Sequence, residues 1–305
     1  RNGYKPEDNF EIADDVAAVS LEGLSNFSIV PNDNPNVIYF LDKDAEVPAN
    51  LNGRNIVKDA TATSIVLKDG YSYFTPMSFT AQNISYERTF TKARQAGVAE
   101  NWSTIVLPFT PATCTASNND MWVESFAQEA DGEVTFSEVT DIEANVPYII
   151  AINKSANLAG TPITWSASNV LLKPEPIAYT SGKQYLMAGT FAGHELENIY
   201  AVNPAGAVAQ WGSAAQVVEP FRAYFKEISS LESHNNILLP GEEAPAIPGD
   251  VNGDGEVTGS DVTALYNHIL FGQDTEIFNG DQNGDGEVTG SDVTAVYNII
   301  LGLSD

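Results

Sequence analysis

Two near-copies of one acidic stretch decide the fold of the C-terminal part: "GDVNGDGEVTGSDVTALYN" (Gly249–Asn267) and "GDQNGDGEVTGSDVTAVYN" (Gly280–Asn298). The copies start 31 residues apart, and 18 of the 21 residues counted from Asp250 match those counted from Asp281. In both copies, residues with side-chain oxygens recur at alternate positions and a glycine stands at the sixth. This register predicts two loops that bind a hard cation.

The spacing suits calcium for a physical reason. Ca²⁺ takes about six to eight oxygen ligands, and a tight loop supplies them from alternate side chains and one backbone carbonyl. The sharp turn at the sixth position needs glycine, here Gly255 and Gly286. Three Asp per loop repel one another without the ion, which should loosen the loop. A single turn of this composition can exist without calcium, but two copies in one register favour calcium sites.

A helix is predicted after each loop. Apolar residues follow at helical spacing, and Gly272 suits the position just past the end of the first helix. A proline-bearing segment, not an entering helix, precedes the first loop, so each unit is half of an EF-hand and a calcium sensor is disfavoured. The apolar faces are Val262, Leu265, Tyr266, Ile269 and Leu270, then Val293, Val296, Tyr297, Ile300 and Leu301.

These paired loop–helix repeats, with Asp at the twelfth loop position, resemble a type I dockerin domain with its two F-hand calcium repeats. The resemblance implies two antiparallel helices, two Ca²⁺ ions and docking to a cohesin-like module. Carried over by position, it implies one set of calcium ligands in each loop, the seventh residue acting through its carbonyl. The two sets are Asp250, Asn252, Asp254, Glu256, Thr258 and Asp261, then Asp281, Asn283, Asp285, Glu287, Thr289 and Asp292.

The resemblance also places partner-reading residues at loop positions 10 and 11, where this chain departs from the Ser-Thr pair of the best-known cellulosomal dockerins. The repeats give two similar faces, which differ mainly at one later helical position. The candidate partner-binding residues are Gly259, Ser260, His268, Gly290, Ser291 and Ile299.

The chain before the repeats is predicted to be β-rich. Residues alternate between apolar and polar in "NISYERTF", "VPYIIAIN" and "FRAYFKEI", and Asp-Gly or Ser-Gly separates such runs. The expected fold class is an antiparallel β-sandwich followed by a small all-α calcium-binding domain. "TKARQAGVAENW" is the best helix candidate before the repeats.

Composition predicts the domain boundaries. "PGEEAPAIPG" (Pro240–Gly249) reads as a linker, and charge shifts there, since residues 250–305 hold eight Asp and three Glu but no Lys or Arg. A weaker seam is predicted near Phe74–Ala81. The short, evenly spaced strands before it are expected to form a small sheet or a cap on an upstream solenoid. The expected domains are therefore 1–80, 81–239, the linker 240–248, and 249–305.

The net charge of −27 disfavours nucleic acid and anionic membrane surfaces as partners. No window is apolar enough for a membrane span. Cys114 is alone, which excludes an internal disulfide. The start at Arg1 suggests a mature or truncated form. "NWSTIVLPF", "IEANVPYIIAI" and "EPFRAYF" are similar to phrases in β-rich modules of secreted surface proteins from anaerobic gut bacteria, so a secreted or cell-surface bacterial protein is expected.

The sequence contains no recognised catalytic motif. Whether the chain is an enzyme stays open, although this finding favours a non-catalytic protein. A glycosidase needs only a carboxylate pair, for which Glu87, Glu100, Glu124, Glu138 and Glu143 are nominally available.

Calcium-dependent docking of a non-catalytic β-sandwich is the expected function. The alternative is a polysaccharide-degrading or carbohydrate-binding subunit delivered by the same repeats. Trp122 and Trp211 are candidates for stacking on sugars, whereas Trp165 is expected in the core. A third hypothesis is structural: the repeats contact the β-sandwich of the same chain and form a calcium-stabilised clasp.

Overall fold

The computed structural model describes residues 9–24, 28–97, 100–130, 133–174, 177, 179–181, 184–202, 208–228, 237–240, 248–252, 257–271, 277 and 280–303. The chain divides into two compact units, Arg1–Glu242 and Glu243–Asp305.

The first unit begins with short strands, most of which pair in parallel with a strand two or more elements away. They are β1 Asn9–Glu11, β2 Ala18–Ser20, β3 Ser28–Val30, β4 Ile38–Leu41, β5 Asn55–Lys58, β6 Thr61–Ala62 and β7 Ile65–Lys68. β1 pairs with β3, and β4 lies between β2 and β5. These strands enclose a small apolar core that includes Ile29, Tyr39 and Leu51.

The strands that follow are mostly antiparallel. The first group is β8 Phe79–Thr89, β9 Ser103–Ile105, β10 Thr113–Cys114, β11 Met121–Ala130, β12 Glu133–Glu138, β13 Tyr148–Ile152 and β14 Pro162–Leu172. The second group is β15 Tyr179–Ser181, β16 Tyr185–Thr190, β17 His194–Leu196, β18 Ile199–Val202, β19 Val208–Gly212, β20 Gln216–Val218, β21 Arg222–Glu227 and β22 Ile237–Leu238.

Three of the sheets form stacked layers. In the described residues an eight-stranded sheet holds β10, β14, β8, β6, β5, β4 and β2, with β7 also on β8. A four-stranded sheet has the order β12-β11-β13-β9, and a six-stranded sheet β15-β16-β21-β18-β19-β22. The four-stranded sheet lies in the middle. On β13, Ile150 and Ile152 pack into the core shared with the eight-stranded sheet, while Ile149 and Ala151 pack into the core shared with the six-stranded sheet.

The predicted class of a mainly β, sandwich-like region followed by a small helical domain is confirmed. Trp165, 2% exposed, lies in the core as expected. The helix predicted in "TKARQAGVAENW" is wrong for the described residues of that segment, where Arg94 instead forms an isolated bridge with Asn153. The suggested boundary at 80/81 falls inside β8, and β8 pairs with β6 and β7, which precede that boundary in the sequence. The division of residues 1–239 into two smaller domains stays a prediction.

The second unit contains the helices α1 Gly259–Phe271 and α2 Gly290–Ile300. Their shared core consists of Val251, Val262, Leu265, Val293 and Val296, with Ile277 and Val288 packed against it. Gly272 lies outside the described residues. None of the helices in the described part of the chain has the length and apolar character to span a bilayer.

Candidate calcium-binding and docking site

In the second acidic loop, the side chain of Asp281 accepts hydrogen bonds from backbone N–H groups of the same loop. Asp281 Oδ1 accepts from Gly284 N at 2.7 Å and Asp285 N at 3.1 Å, while its Oδ2 accepts from Gly286 N at 2.8 Å. Gly284 and Gly286 have φ of +76° and +88°, the left-handed region that glycine reaches without strain. The sharp turn predicted for the sixth position is therefore present.

The alternating side chains of this loop also turn inward. Asn283 Oδ1 accepts from Asp285 N at 2.9 Å, and Asp285 Oδ1 accepts from Glu287 N at 2.9 Å. Each bond leaves the oxygen with further acceptor capacity. The loop thus gathers carboxylate and amide oxygens, the donor class that calcium prefers.

Asp292, at position 12, closes the loop onto the helix. Its Oδ1 accepts from Gln282 N at 2.8 Å and Asn283 N at 3.2 Å, and its Oδ2 accepts from Thr289 N at 2.8 Å. Thr289 and Asp292 also form the capping box of α2, so positions 9 and 12 serve both loop and helix. Burial by itself would raise the pKa of Asp292, but these backbone N–H groups hold it below its usual value.

The first loop closes in the same way where it is described. Asp261 Oδ1 accepts from Val251 N at 2.8 Å and Asn252 N at 3.2 Å, and Oδ2 accepts from Thr258 N at 2.8 Å. Asp261, like Asp292, is fully buried. The two repeats therefore share one closing geometry. Asp254 and Glu256 lie outside the described residues.

The calcium fit rests on donor chemistry. Among the residues that the structure describes, no three or more His, Cys, Asp or Glu side chains cluster closely enough to hold a metal ion. All six predicted ligand positions of the second loop lie in the described residues, between Asp281 and Asp292, and each offers an oxygen. Binding would require the carboxylates to draw together around the ion, as expected of a loop whose charges repel without it.

Comparison with known families identifies this unit. The model of the dockerin type I domain matches residues 248–301. This segment is a type I dockerin domain. Such domains bind calcium and dock to cohesins. Searches of curated proteins and of solved structures gave no match for the chain.

The dockerin helices bury only part of their predicted apolar faces. Val262, Leu265, Val293 and Val296 are buried, as the helical spacing predicted. The rest of each face is exposed to a matching degree: Tyr266 46% and Tyr297 47%, Ile269 37% and Ile300 37%, Leu270 68% and Leu301 65%. The dockerin therefore presents two equivalent apolar surfaces.

The predicted partner residues lie at two levels of these helices. Gly259, Ser260, Gly290 and Ser291 are exposed in the first turns, while His268 and Ile299 are half-buried near the helix ends. Ser260 Oγ lies 2.6 Å from Thr258 Oγ1, and Ser291 Oγ lies 2.7 Å from Thr289 Oγ1. The serine hydroxyls thus contact the loop as well as the surface.

The sandwich brings two of the nominal carboxylates together. Glu124 on β11 and Glu138 on β12 are direct cross-strand partners. Burial raises the pKa of Glu124; the Arg94 charge opposes this shift and Glu138 adds to it. Glu87 instead forms an ion pair with Lys68, in which Oε1 and Nζ are 2.5 Å apart. Glu100 and Glu143 are exposed.

Of the two candidates for stacking on sugars, Trp122 is half-buried, and the Trp211 side chain lies outside the described residues. Sequence reasoning missed Tyr71 and Phe74, which are 44% and 55% exposed in the segment between β7 and β8. Strand alternation could not have found them, because Tyr71 and the buried Tyr73 are two residues apart and would share one face of a strand.

Proposed function

We propose that this is a secreted or cell-surface, non-catalytic β-sandwich protein that docks through its dockerin to a cohesin-like partner when calcium is bound. The supporting observation is the identical closure of both loops by Asp261 and Asp292, which ties loop geometry to the start of each helix. Filling the loops with two ions would order both helix starts, and the paired surfaces that carry Tyr266 and Tyr297 would then be ready for the partner.

The calcium step is tested on the full chain. Calorimetric titration of the chelator-treated protein with Ca²⁺ should give two ions per chain, with a gain in helical circular dichroism. Asp261→Ala and Asp292→Ala should each remove one ion, and the double variant should remove both. Asp59→Ala is the matched control, because Asp59 lies at an exposed turn with Lys43 as its partner. Unchanged stoichiometry in the double variant would refute the assigned ligands.

The docking step uses purified cohesin modules of several specificities in biolayer interferometry. At least one should bind with calcium and be released by chelator, and the double variant should fail to bind it. Calcium-independent binding, or binding unaffected by the double variant, would contradict the proposal.

A second candidate function is carbohydrate binding by the sandwich. Tyr71 and Phe74 favour it because both side chains are exposed and the backbone beside them is hydrogen-bonded: Asn36 Nδ2 donates to Tyr71 O at 2.7 Å, and Asn34 Nδ2 donates to Ser72 O at 2.9 Å. Exposed aromatic rings on such a backbone can stack on sugars. Retardation in gels that contain polysaccharide, lost in Tyr71→Ala plus Phe74→Ala, would support it, whereas equal mobility of both proteins would exclude this surface.

A further inference from the structure

An open cleft of about 510 Å³ lies in the first unit, between the end of β8, β9 and the strands β18, β20 and β21. Its volume falls in the range of small-ligand sites, roughly 300–1,000 Å³. Its polar lining includes both charged and hydroxyl side chains. The residues used below are Arg88, Thr89, Thr91, Lys92, Glu219 and Arg222.

Two of the cationic lining residues share one carboxylate. Arg222 Nη1 and Nη2 donate to the two oxygens of Asp69 at 2.7 and 2.8 Å, and Arg88 Nε lies 3.6 Å from Asp69 Oδ2. The other contacts of Arg88 are with neutral groups: it donates to Thr104 O at 2.8 Å and Ser103 Oγ at 2.6 Å, and its guanidinium carbon lies 4.2 Å from the centroid of the Phe90 ring. Tyr86 also donates to Asp69, at 2.6 Å. The Asp69–Arg88–Arg222 cluster therefore carries one positive charge in excess.

This excess charge is buried. The side chains of Arg88 and Arg222 are 6% and 19% exposed. Burial, together with the neighbouring Arg222 charge, lowers the pKa of Arg88 to about 10, which still leaves it charged at neutral pH. An incompletely compensated charge inside a protein is costly, and an anion in the adjoining cleft would offset that cost. This local excess of positive charge contrasts with the net charge of the whole chain, which is −27.

The rim of the cleft adds a third cation and several neutral polar groups. Lys92 is exposed there, as are the hydroxyl-bearing Thr89 and Thr91, while the exposed Glu219 supplies one opposing carboxylate. Hydroxyls around a cationic floor suit a ligand that carries both a negative charge and several hydroxyl groups. A ring of this kind fits the volume.

We propose that this cleft binds a carboxylate-bearing saccharide of one or two rings, with the carboxylate over the Arg88–Arg222 floor and the ring hydroxyls against the threonine rim. A free uronic acid and the end of an acidic polysaccharide present the same chemistry, and either can supply the ligand. All residues of the proposed site belong to the first unit, and none is among the residues proposed for calcium or cohesin.

The test is calorimetry on the full, calcium-loaded chain after removal of free calcium, because uronates themselves bind that ion. The probes are D-galacturonate, D-glucuronate and digalacturonate. The matched neutral probe is the methyl ester of galacturonate, which keeps the ring and removes the charge. At least one acidic sugar should bind, the ester should not, and affinity should fall as salt increases. Retention by a polygalacturonate column distinguishes a chain end from a free sugar as the source.

Rim variants locate the binding without disturbing the buried cluster. Lys92→Glu should weaken binding roughly three- to tenfold, and Glu219→Gln should strengthen it by a similar factor, as expected for one charge near a partly exposed site. Lys154→Glu is the control for net charge, since Lys154 is exposed and does not line the cleft; it should change the affinity little. Thermal unfolding of each variant verifies folding.

Several results would overturn the proposal. They are failure of all acidic sugars to bind, equal binding of the methyl ester, or equal effects of Lys92→Glu and Lys154→Glu. Acetate binding as tightly as the uronates would show an anion site without sugar recognition. A short peptide with a free C-terminal carboxylate binding more tightly than the uronates would assign the cleft to peptides instead.

Discussion

Arg222 and Asp69 form two parallel hydrogen bonds although 153 residues separate them in the sequence. The pair joins β21 to the turn that follows β7, so it ties the six-stranded sheet to the eight-stranded one. Asp69→Asn would leave Arg88 and Arg222 facing each other without a carboxylate. We expect a loss of about 3 kcal/mol in unfolding free energy, typical of a broken buried ion pair, measured by urea unfolding followed through tryptophan fluorescence.

The same carboxylate predicts a pH dependence. Burial would raise the pKa of Asp69, but the hydrogen bond and charge of Arg222, the charge of Arg88 and the hydrogen bond from Tyr86 hold it below its usual value. A carboxylate with a depressed pKa in the folded state stabilises the fold above its unfolded-state pKa of about 4, and this contribution disappears as pH falls through the folded-state pKa.

The difference in melting temperature between the natural protein and Asp69→Asn should therefore be constant near neutral pH and shrink below about pH 4. Asp59→Asn is the control, since Asp59 and Lys43 are both largely exposed. A difference that stays constant down to pH 2 would contradict the assigned role of Asp69.

The repeat was the most predictable part of the molecule. Calcium loops draw their ligands from one short segment, so the spacing from Asp281 to Asp292 carries most of the information. Helical period likewise identified the apolar faces of α1 and α2. It did not show that Tyr266 and Tyr297 would remain exposed, because periodicity identifies a face and not what covers it.

The rest depended on distant contacts. The alternation around β13 predicted a strand, but not that both of its faces would be buried between two other sheets. The local spacing of residues near Arg94 predicts a helix. The structure places the Arg94 guanidinium 4.5 Å and 4.8 Å from the ring centroids of Trp102 and Trp122, a tertiary arrangement that overrides local propensity.

Gly249 and Gly280, each directly before a loop, have no room for a larger side chain. A Cβ on Gly280 would lie 2.5 Å from Ile277 Cδ1 and 2.9 Å from Val288 Cγ2, and one on Gly249 would lie 2.6 Å from Val257 Cγ1. Gly280→Ala should destabilise the dockerin by about 1–3 kcal/mol through overpacking, seen as a lower midpoint of the helical circular dichroism signal. Gly290→Ala is the control, because a Cβ there meets no heavy atom within 4 Å. Equal midpoints for the two variants would refute the packing argument.

The hydrogen bonds to Pro240, near the end of the first unit, lead to a prediction about the rate of proteolysis. Pro240 O accepts from Arg94 Nη2 and from Trp102 Nε1, each at 2.9 Å. Trp102→Phe keeps an aromatic ring beside Arg94 but removes one donor, at a cost of about 1–2 kcal/mol. Cleavage by thermolysin within 240–248, followed by mass spectrometry, should become faster. Trp122→Phe, which alters a ring beside Arg94 but not the bond to Pro240, should change that rate less; similar rates would show that the bond does not hold this segment.

The near-identity of the repeats predicts two equivalent docking faces. The exposed residues Tyr266 and Tyr297 match, and among the predicted partner residues the faces differ at His268 and Ile299. Ser260→Tyr or Ser291→Tyr alone should weaken cohesin binding little, because the other face remains, whereas the double variant should lose roughly a hundredfold or more. Each serine also contacts its loop, so calorimetric calcium stoichiometry must stay at the natural value for a loss to be assigned to docking. If Ser260→Tyr alone abolished binding with calcium intact, only the α1 face would be used, and the difference between His268 and Ile299 would be the first place to look for the reason.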